Sequence, residues 1–181
     1  MRKVFKVEYE ERDHKLSELK AHETRLLKRV IEICAESKAE GNHPFGCLLA
    51  DDEGNILMEQ GNEEVTRGGD CTAHAETLLM KRASQVYDKE AMFKLTMYSA
   101  ADSCAMCTGA MYWGNLGRMV YICPESALLE MTGSDMRNPT LSLPSVVVIA
   151  AGQKPMKIEG PFPELVPDFA ALHEGYWEKE G

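Results

Sequence analysis

The sequence predicts an α/β fold, with helices packed around one mixed five-stranded sheet, and three features of its patterning lead there. A helix-period segment comes first, a hairpin of short apolar runs follows, and strands then alternate with helices as far as residue 150. Alternation of this kind produces helix-on-sheet layers, because each element has one apolar face to bury.

Taken in order, His14 to about Lys38 carries Leu16, Leu19, Leu26, Leu27, Val30, Ile31 and Cys34 at amphipathic helix spacing. Gly41-Asn42-His43-Pro44 stops it. The apolar run Phe45 to Ala50, the turn Asp51 to Asn55 and the run Ile56 to Gln60 read as a β-hairpin. After a polar, glycine-rich loop from Gly61 to Thr72, a helix is expected from Ala73 to about Tyr87. A strand over Lys94 to Ala100, a helix over Cys104 to Asn115, a strand over Arg118 to Cys123 and a short helix over Ser126 to Met131 follow. Val146, Val147, Val148 and Ile149 make Ser145 to Ala150 the fifth expected strand, buried on both faces. The stretch from Pro163 to Glu180 reads as partly helical.

At 181 residues with 44% hydrophobic side chains, the chain fits one domain, residues 1–181, with a core of its own. About 1–13 reads as an N-terminal extension and about 160–181 as a tail. A metal is then expected to do chemistry rather than hold the fold together. The formal charge of −9, from 20 basic and 29 acidic residues, argues against a long nucleic acid as substrate, since phosphate binders present basic surfaces. No apolar run reaches the ~18 residues of a membrane span, and Met1 to Lys6 lacks a signal-type segment. A cytoplasmic location and reduced cysteines, six in number, are therefore expected.

Two clusters carry chemistry: Thr72-Ala73-His74-Ala75-Glu76 and Ser103-Cys104-Ala105-Met106-Cys107. Cys104 and Cys107, three apart at a helix start, place both thiols on one face, where unpaired N–H groups favour thiolate. His74 supplies a third ligand, so one Zn²⁺ per chain is expected, with its fourth position open to water, as in catalytic sites. Two thiolates and a neutral imidazole cancel the ion's charge formally, so it still acidifies its water, though less than an all-histidine site would. Glu76 is two residues from His74, about 200° around a helix, so the two can face one site only where the chain is entering the helix. There Glu76 would stay off the metal and move protons.

These clusters, with Pro44-Phe45-Gly46, Gly61-Asn62, Asp70-Cys71 ahead of the histidine, and Thr108 to Trp113 after the second cysteine, resemble the cytidine deaminase-like superfamily. The likeness runs from about Phe45 to Asp135 and is nearest the branch holding guanine deaminases and tRNA adenosine deaminases. It implies a three-layer α/β/α sandwich that pairs as a homodimer, and attack of zinc-activated water on the amino-bearing carbon of a ring, with ammonia released. It also implies substrate contacts from Asn62, Asp135, Trp113, Phe45 and Tyr176. Asp135 would accept hydrogen bonds from a donor edge such as guanine presents, and Tyr176 or Trp177 in the tail would close over the site. The substrate so implied is a small molecule: a nucleobase, nucleoside or triazine-like ring. A tRNA adenosine editor and an inactive zinc-binding relative are the alternatives.

Two positions depart from the family pattern: Ser103 and Cys71 stand where proline is usual. Ser103 can serve as an N-cap in place of the proline, and Cys71 is either a stray thiol or a substrate contact. Elsewhere plain roles are expected. Cys34, Cys47 and Cys123 are small buried hydrophobes, and Met106, Met111 and Met119 fill the core. His14, His22 and His173 are expected on the surface, His43 is read as a plain turn residue with pocket lining as the alternative, and Glu174, Glu178 and Glu180 are expected on a solvated face.

Overall fold

The computed structural model describes residues 12–133 and 135–177. The expected N-terminal extension therefore falls almost wholly outside the described residues, as do Ser134, Glu178 and Glu180. A single 3-10 turn, Leu16–Glu18, precedes the first helix, α1 (Ala21–Ala39). The expected helix thus begins later than its pattern suggested, at the backbone bond from Lys20 N–H to the Glu23 carboxylate, 2.9 Å.

The sheet has five strands in the order β2-β1-β3-β4-β5. They are β1 (Gly46–Ala50), β2 (Ile56–Gly61), β3 (Thr96–Ala101), β4 (Arg118–Cys123) and β5 (Lys157–Glu159). β1 lies antiparallel to both β2 and β3, whereas β3, β4 and β5 run parallel, so the sheet is mixed. Side chains alternate across it, as the pleat requires. Leu48, Tyr98, Val120 and Ile122 join Leu26, Leu27, Val30, Phe162 and Phe169 on one face. Cys47, Leu49, Met97, Met119 and Tyr121 join Leu79, Met80, Met111 and Ile149 on the other.

The second face is covered by α2 (Ala75–Ala83), α3 (Lys89–Met92), α4 (Ala105–Gly114) and α6 (Ser145–Ala150). The first is covered by α1, α5 (Glu125–Thr132) and α7 (Val166–Ala170). Helices on both faces of one sheet make the expected three-layer sandwich. Cys34, Cys47 and Cys123 are buried in it, as expected. Among the described residues no helix is long and apolar enough to cross a membrane.

One element is of the wrong type in the sequence reading. Ser145–Ala150 is helix α6, not a strand, and the fifth strand is the short edge Lys157–Glu159. The cause lies at the start of the segment. Pro144 precedes it, and the Asp102 carboxylate accepts both the Ser145 N–H and the Ser145 hydroxyl, anchoring the first turn. Only Ser145 and Ile149, four apart, are buried, which is a one-sided helical pattern. The weak helix propensity of valine, roughly half a kcal/mol per residue, is outweighed by that anchor and by packing on α4.

Below the sheet, Glu23 joins three elements: its buried carboxylate accepts from the Tyr98 hydroxyl at 3.2 Å and pairs with Arg118, which also binds Glu159. Bare backbone matters at two positions. A Cβ on Gly46 would meet Ile33 Cγ2 at 2.7 Å, and one on Gly61 would meet Ser37 Cβ at 2.9 Å. Without those carbons α1 presses onto both strands of the hairpin. Ser37 Oγ then donates to the carbonyls of His43 (2.9 Å) and Asn62 (3.1 Å), fixing two loops that lead into the site.

The tail corrects a second expectation. His173 is buried, not on the surface, and sits among Phe45, Phe169 and Trp177, with its Nδ1 accepting from Trp177 Nε1 at 2.8 Å. Burial, with Lys38 adding to it and the Pro44 carbonyl opposing, pushes this imidazole down to about 4. An unfolded histidine titrates near 6.5, so between there and about 4 the released tail takes up a proton that the docked one refuses. Docking should weaken as pH falls through that window, by up to about 3 kcal/mol at its lower end. Trp177 emission, read in a Trp113→Phe background, should shift to the red between pH 7 and 4. The shift should be lost in His173→Gln, whose amide oxygen still accepts the indole N–H; an unchanged profile in that variant would disprove the assignment.

Candidate active site

Each reactive group enters the site at a helix start. His74 is the N-cap of α2, in extended backbone, and Glu76 is in the first turn. This is the arrangement that allows residues two apart to face one point. Cys104 is the N-cap of α4, and Cys107 lies three residues on. Ser103 is therefore not the cap. It is buried, its hydroxyl set against Met119 Sδ at 3.2 Å and its carbonyl accepting from Thr108 Oγ1 at 2.9 Å.

His74 Nδ1 lies 3.7 Å from both Cys104 Sγ and Cys107 Sγ, and the three donor atoms fall within 4.8 Å of one another. Tetrahedral zinc with ordinary Zn–S and Zn–N bonds would hold such N and S atoms about 3.6 Å apart. The donor set fits zinc in type and in spacing. Thr77 Oγ1 stands 3.2 Å from Cys107 Sγ, and Glu64 Oε2 lies 4.0 Å from His74 Nε2, on the side of the ring away from the sulfurs. At that distance the carboxylate acts on the ring through its charge, favouring a proton on Nε2.

The three donor groups perturb one another's protonation. A hydrogen bond from Cys107, opposed by burial and helped by His74, pulls Cys104 down to about 4. The Cys104 bond and burial push Cys107 well up. The bond to Cys104, partly offset by burial and helped by Glu76, raises His74 to about 8. Glu76 stands beside the donor set and outside it. Its Oε1 accepts from Ser99 Oγ at 2.7 Å, and its Oε2 is 3.5 Å from Cys107 Sγ.

The cluster forms the floor of a cavity of about 320 Å³, at the small end of the ~300–1,000 Å³ common for small-molecule sites. Phe45, Asn62, Met106, Leu128 and the segment 137–141 form its walls. Its lining carries four carboxyl groups (Glu64, Glu76, Asp102 and Glu125) and one guanidinium, that of Arg137. Burial, reinforced by Asp102, Cys104 and Glu76, pushes Glu125 up to about 7.

Residues 20–123, which hold both clusters, match the family model described as the cytidine and deoxycytidylate deaminase zinc-binding region. The chain belongs to this family. It is 30% identical over 163 residues to a probable cytosine deaminase of Schizosaccharomyces pombe, covering 90% of this chain and 96% of the relative. It is 34% identical over 109 residues to a guanine deaminase of Bacillus subtilis, covering 60% of this chain and 69% of the relative. Among solved structures, a guanine deaminase from Nitrosomonas europaea superposes with a TM-score of 0.66 at 23% identity, over 92% of this chain and 87% of that one, which shows the shared fold. These relatives are deaminases, which cleave C–N bonds hydrolytically, and this chain is a deaminase of the same family.

Within the deaminase, the residues expected around the substrate separate. Phe45 and Asn62 line the cavity. Asn62 Oδ1 accepts the Glu64 backbone N–H at 2.9 Å, which leaves its amide nitrogen without a partner among the described residues. Tyr176 stands behind the wall, its hydroxyl 2.9 Å from Nδ1 of the cavity-lining His43. Asp135 is buried with its carboxylate on Arg137, at 3.0 Å to Nε and 2.5 Å to Nη2, and is not part of the lining. Trp113 is three-quarters exposed, edge-on to Tyr112 and under the Lys154 ammonium, away from the cavity of its own chain.

The other lining residues were either left with open roles by the sequence reading, as His43 and Cys71 were, or missed by it. His43 is buried and lines the site, the second of its two expected readings, and Met106 lies half-exposed on the wall rather than in the core. Cys71 is exposed and borders the cavity. Glu64, Asp102, Glu125 and Arg137 carry no motif. The signal that could have found Glu125 and Asp102 is positional: Asp102 directly follows, and Glu125 lies two residues past, the carboxyl end of a parallel strand, where ligands gather in open α/β sheets.

Proposed function

We propose that the chain is a zinc-dependent hydrolytic deaminase of a free nucleobase or closely related small aminated heterocycle, of the guanine deaminase-like type. The observation that carries this reading is the charge of the cavity: four carboxyl groups against a single guanidinium that is already engaged by Asp135. Such a lining attracts a neutral or protonated ring rich in N–H donors. It repels phosphate, and so disfavours nucleotides and the tRNA reading.

His74, Cys104 and Cys107 would hold the ion, whose chemistry when bound is to acidify a water molecule and polarise it for addition. Glu76 is the group placed to move protons. With one oxygen held by Ser99, the other is directed toward the cluster, where it takes a proton from the attacking water. It then gives that proton to the ring nitrogen beside the amino-bearing carbon. It next takes the remaining proton of the added hydroxyl and passes it to the amino nitrogen, so that the C–N bond breaks, ammonia leaves and a carbonyl remains on the ring. Asn62 can donate its amide N–H to a ring acceptor, and Phe45 supplies an apolar wall.

A cytosine-directed reading is favoured by one observation, the match to the fission-yeast probable cytosine deaminase over nearly both full lengths. Ammonia release by zinc-loaded protein separates the readings. Guanine, cytosine, adenine, cytidine, guanosine, ammeline and an anticodon stem-loop form the panel. Turnover of free bases or ammeline, and none of the stem-loop, is the expected result; turnover confined to the stem-loop would defeat the small-substrate reading.

A further inference from the structure

We propose that Glu125 is the residue that reads the donor edge of the substrate, accepting hydrogen bonds from a ring N–H and the amine beside it, in the role expected of Asp135. The inference rests on the deaminase reading above and names the class of ring that the site selects.

Position comes first. Ala101 and Cys123 are register partners on the parallel strands β3 and β4, and Asp102 N–H donates to the Cys123 carbonyl at 2.8 Å. The chain therefore leaves both strands at the same edge of the sheet. One exit leads within three residues to the ligand Cys104, the other within two to Glu125 at the start of α5. Both line the same cavity, together with Glu76 and Asn62.

Availability is the second point. Asp102 is committed to Ser145, and Glu76 to Ser99. Asp135 accepts from the Arg137 backbone N–H at 2.8 Å as well as from its guanidinium, so a ring would have to displace a bidentate pair to reach it. Glu125 is half-buried and has no hydrogen-bond or ion-pair partner among the described residues. A carboxyl group withdrawn from water without a partner costs stability, and a ligand that supplies the missing donors offsets that cost.

The chemistry then selects the ring. An acceptor carboxylate matches two neighbouring N–H donors, as in a cyclic amidine or guanidine edge, and rejects an edge that presents a bare ring nitrogen. The class is therefore an unphosphorylated heterocycle with a ring N–H next to an exocyclic amine.

The test is equilibrium binding to the full, zinc-loaded protein of two probes: 8-azaguanine, which has that edge, and the fluorescent 2-aminopurine, which lacks the ring N–H. Wild type should prefer 8-azaguanine. Glu125→Gln, nearly isosteric, should weaken 8-azaguanine by about 10–100-fold and change 2-aminopurine less than threefold, the loss expected for one charge-assisted bond. Equal weakening of both probes, no weakening of either, or a wild type that binds neither ring would each overturn the proposal. Binding that follows the expected pattern without ammonia release from any substrate would sink the deaminase reading alone.

Discussion

Glu76→Gln is expected to lower ammonia release by about 10²–10⁴-fold while zinc content stays at one per chain. The amide keeps the size of the side chain and can still face Ser99 Oγ, which lies 2.7 Å away in the native site. It cannot accept a proton from water and pass it to a ring nitrogen. Because Glu76 stands beside the His74, Cys104 and Cys107 donors rather than among them, the substitution should leave the metal in place. Zinc stoichiometry, measured on the samples used for kinetics, makes the two roles separable. Retention of more than a tenth of wild-type turnover would remove Glu76 from the proton path. Loss of zinc together with activity would make it a ligand.

The second large effect belongs to the proposed ligands. His74→Ala and Cys104→Ala should each weaken zinc by on the order of 10²–10³-fold, a share of the roughly 10–16 kcal/mol that a full zinc site provides. Titration against a chromogenic chelator reads this directly. The fold should persist, with far-UV circular dichroism and thermal midpoint close to wild type measured after zinc removal. Both apolar clusters are built from strand and helix side chains that do not include His74 or Cys104. Unfolding of these variants would show that the metal braces the structure.

The geometry of the two clusters was the most legible part of this chain, because it depends on short-range spacing. A histidine and a glutamate two apart can meet only at a helix entrance, and two cysteines three apart share a face; His74 and Cys104 are indeed N-caps. Alternation located β1 through β4 to within a residue or two for the same reason. Ser145–Ala150 was misread because a short apolar run has no period of its own, and the anchor that makes it helical, Asp102, is remote in sequence. β5 was missed because an edge strand of three residues, two of them charged, carries no pattern. His173 looked exposed because its neighbours in sequence are polar, whereas its neighbours in space are Phe45, Phe169 and Trp177. Asp135 could be placed by sequence, but its engagement by Arg137, two residues on, is a matter of side-chain geometry.

The two parallel strands that end side by side carry a consequence for how such an enzyme diverges. The exit from β3 supplies both cysteines, and the exit from β4 leads to Glu125 and on to the wall formed by 137–141. On the proposed roles, proton transfer and the reading of the donor edge would lie on separate stretches of chain that meet at one sheet edge. A library confined to the cavity-facing positions of 124–141, with the buried Leu128 and Thr132 kept, would then vary the pocket wall while 72–107 stay untouched.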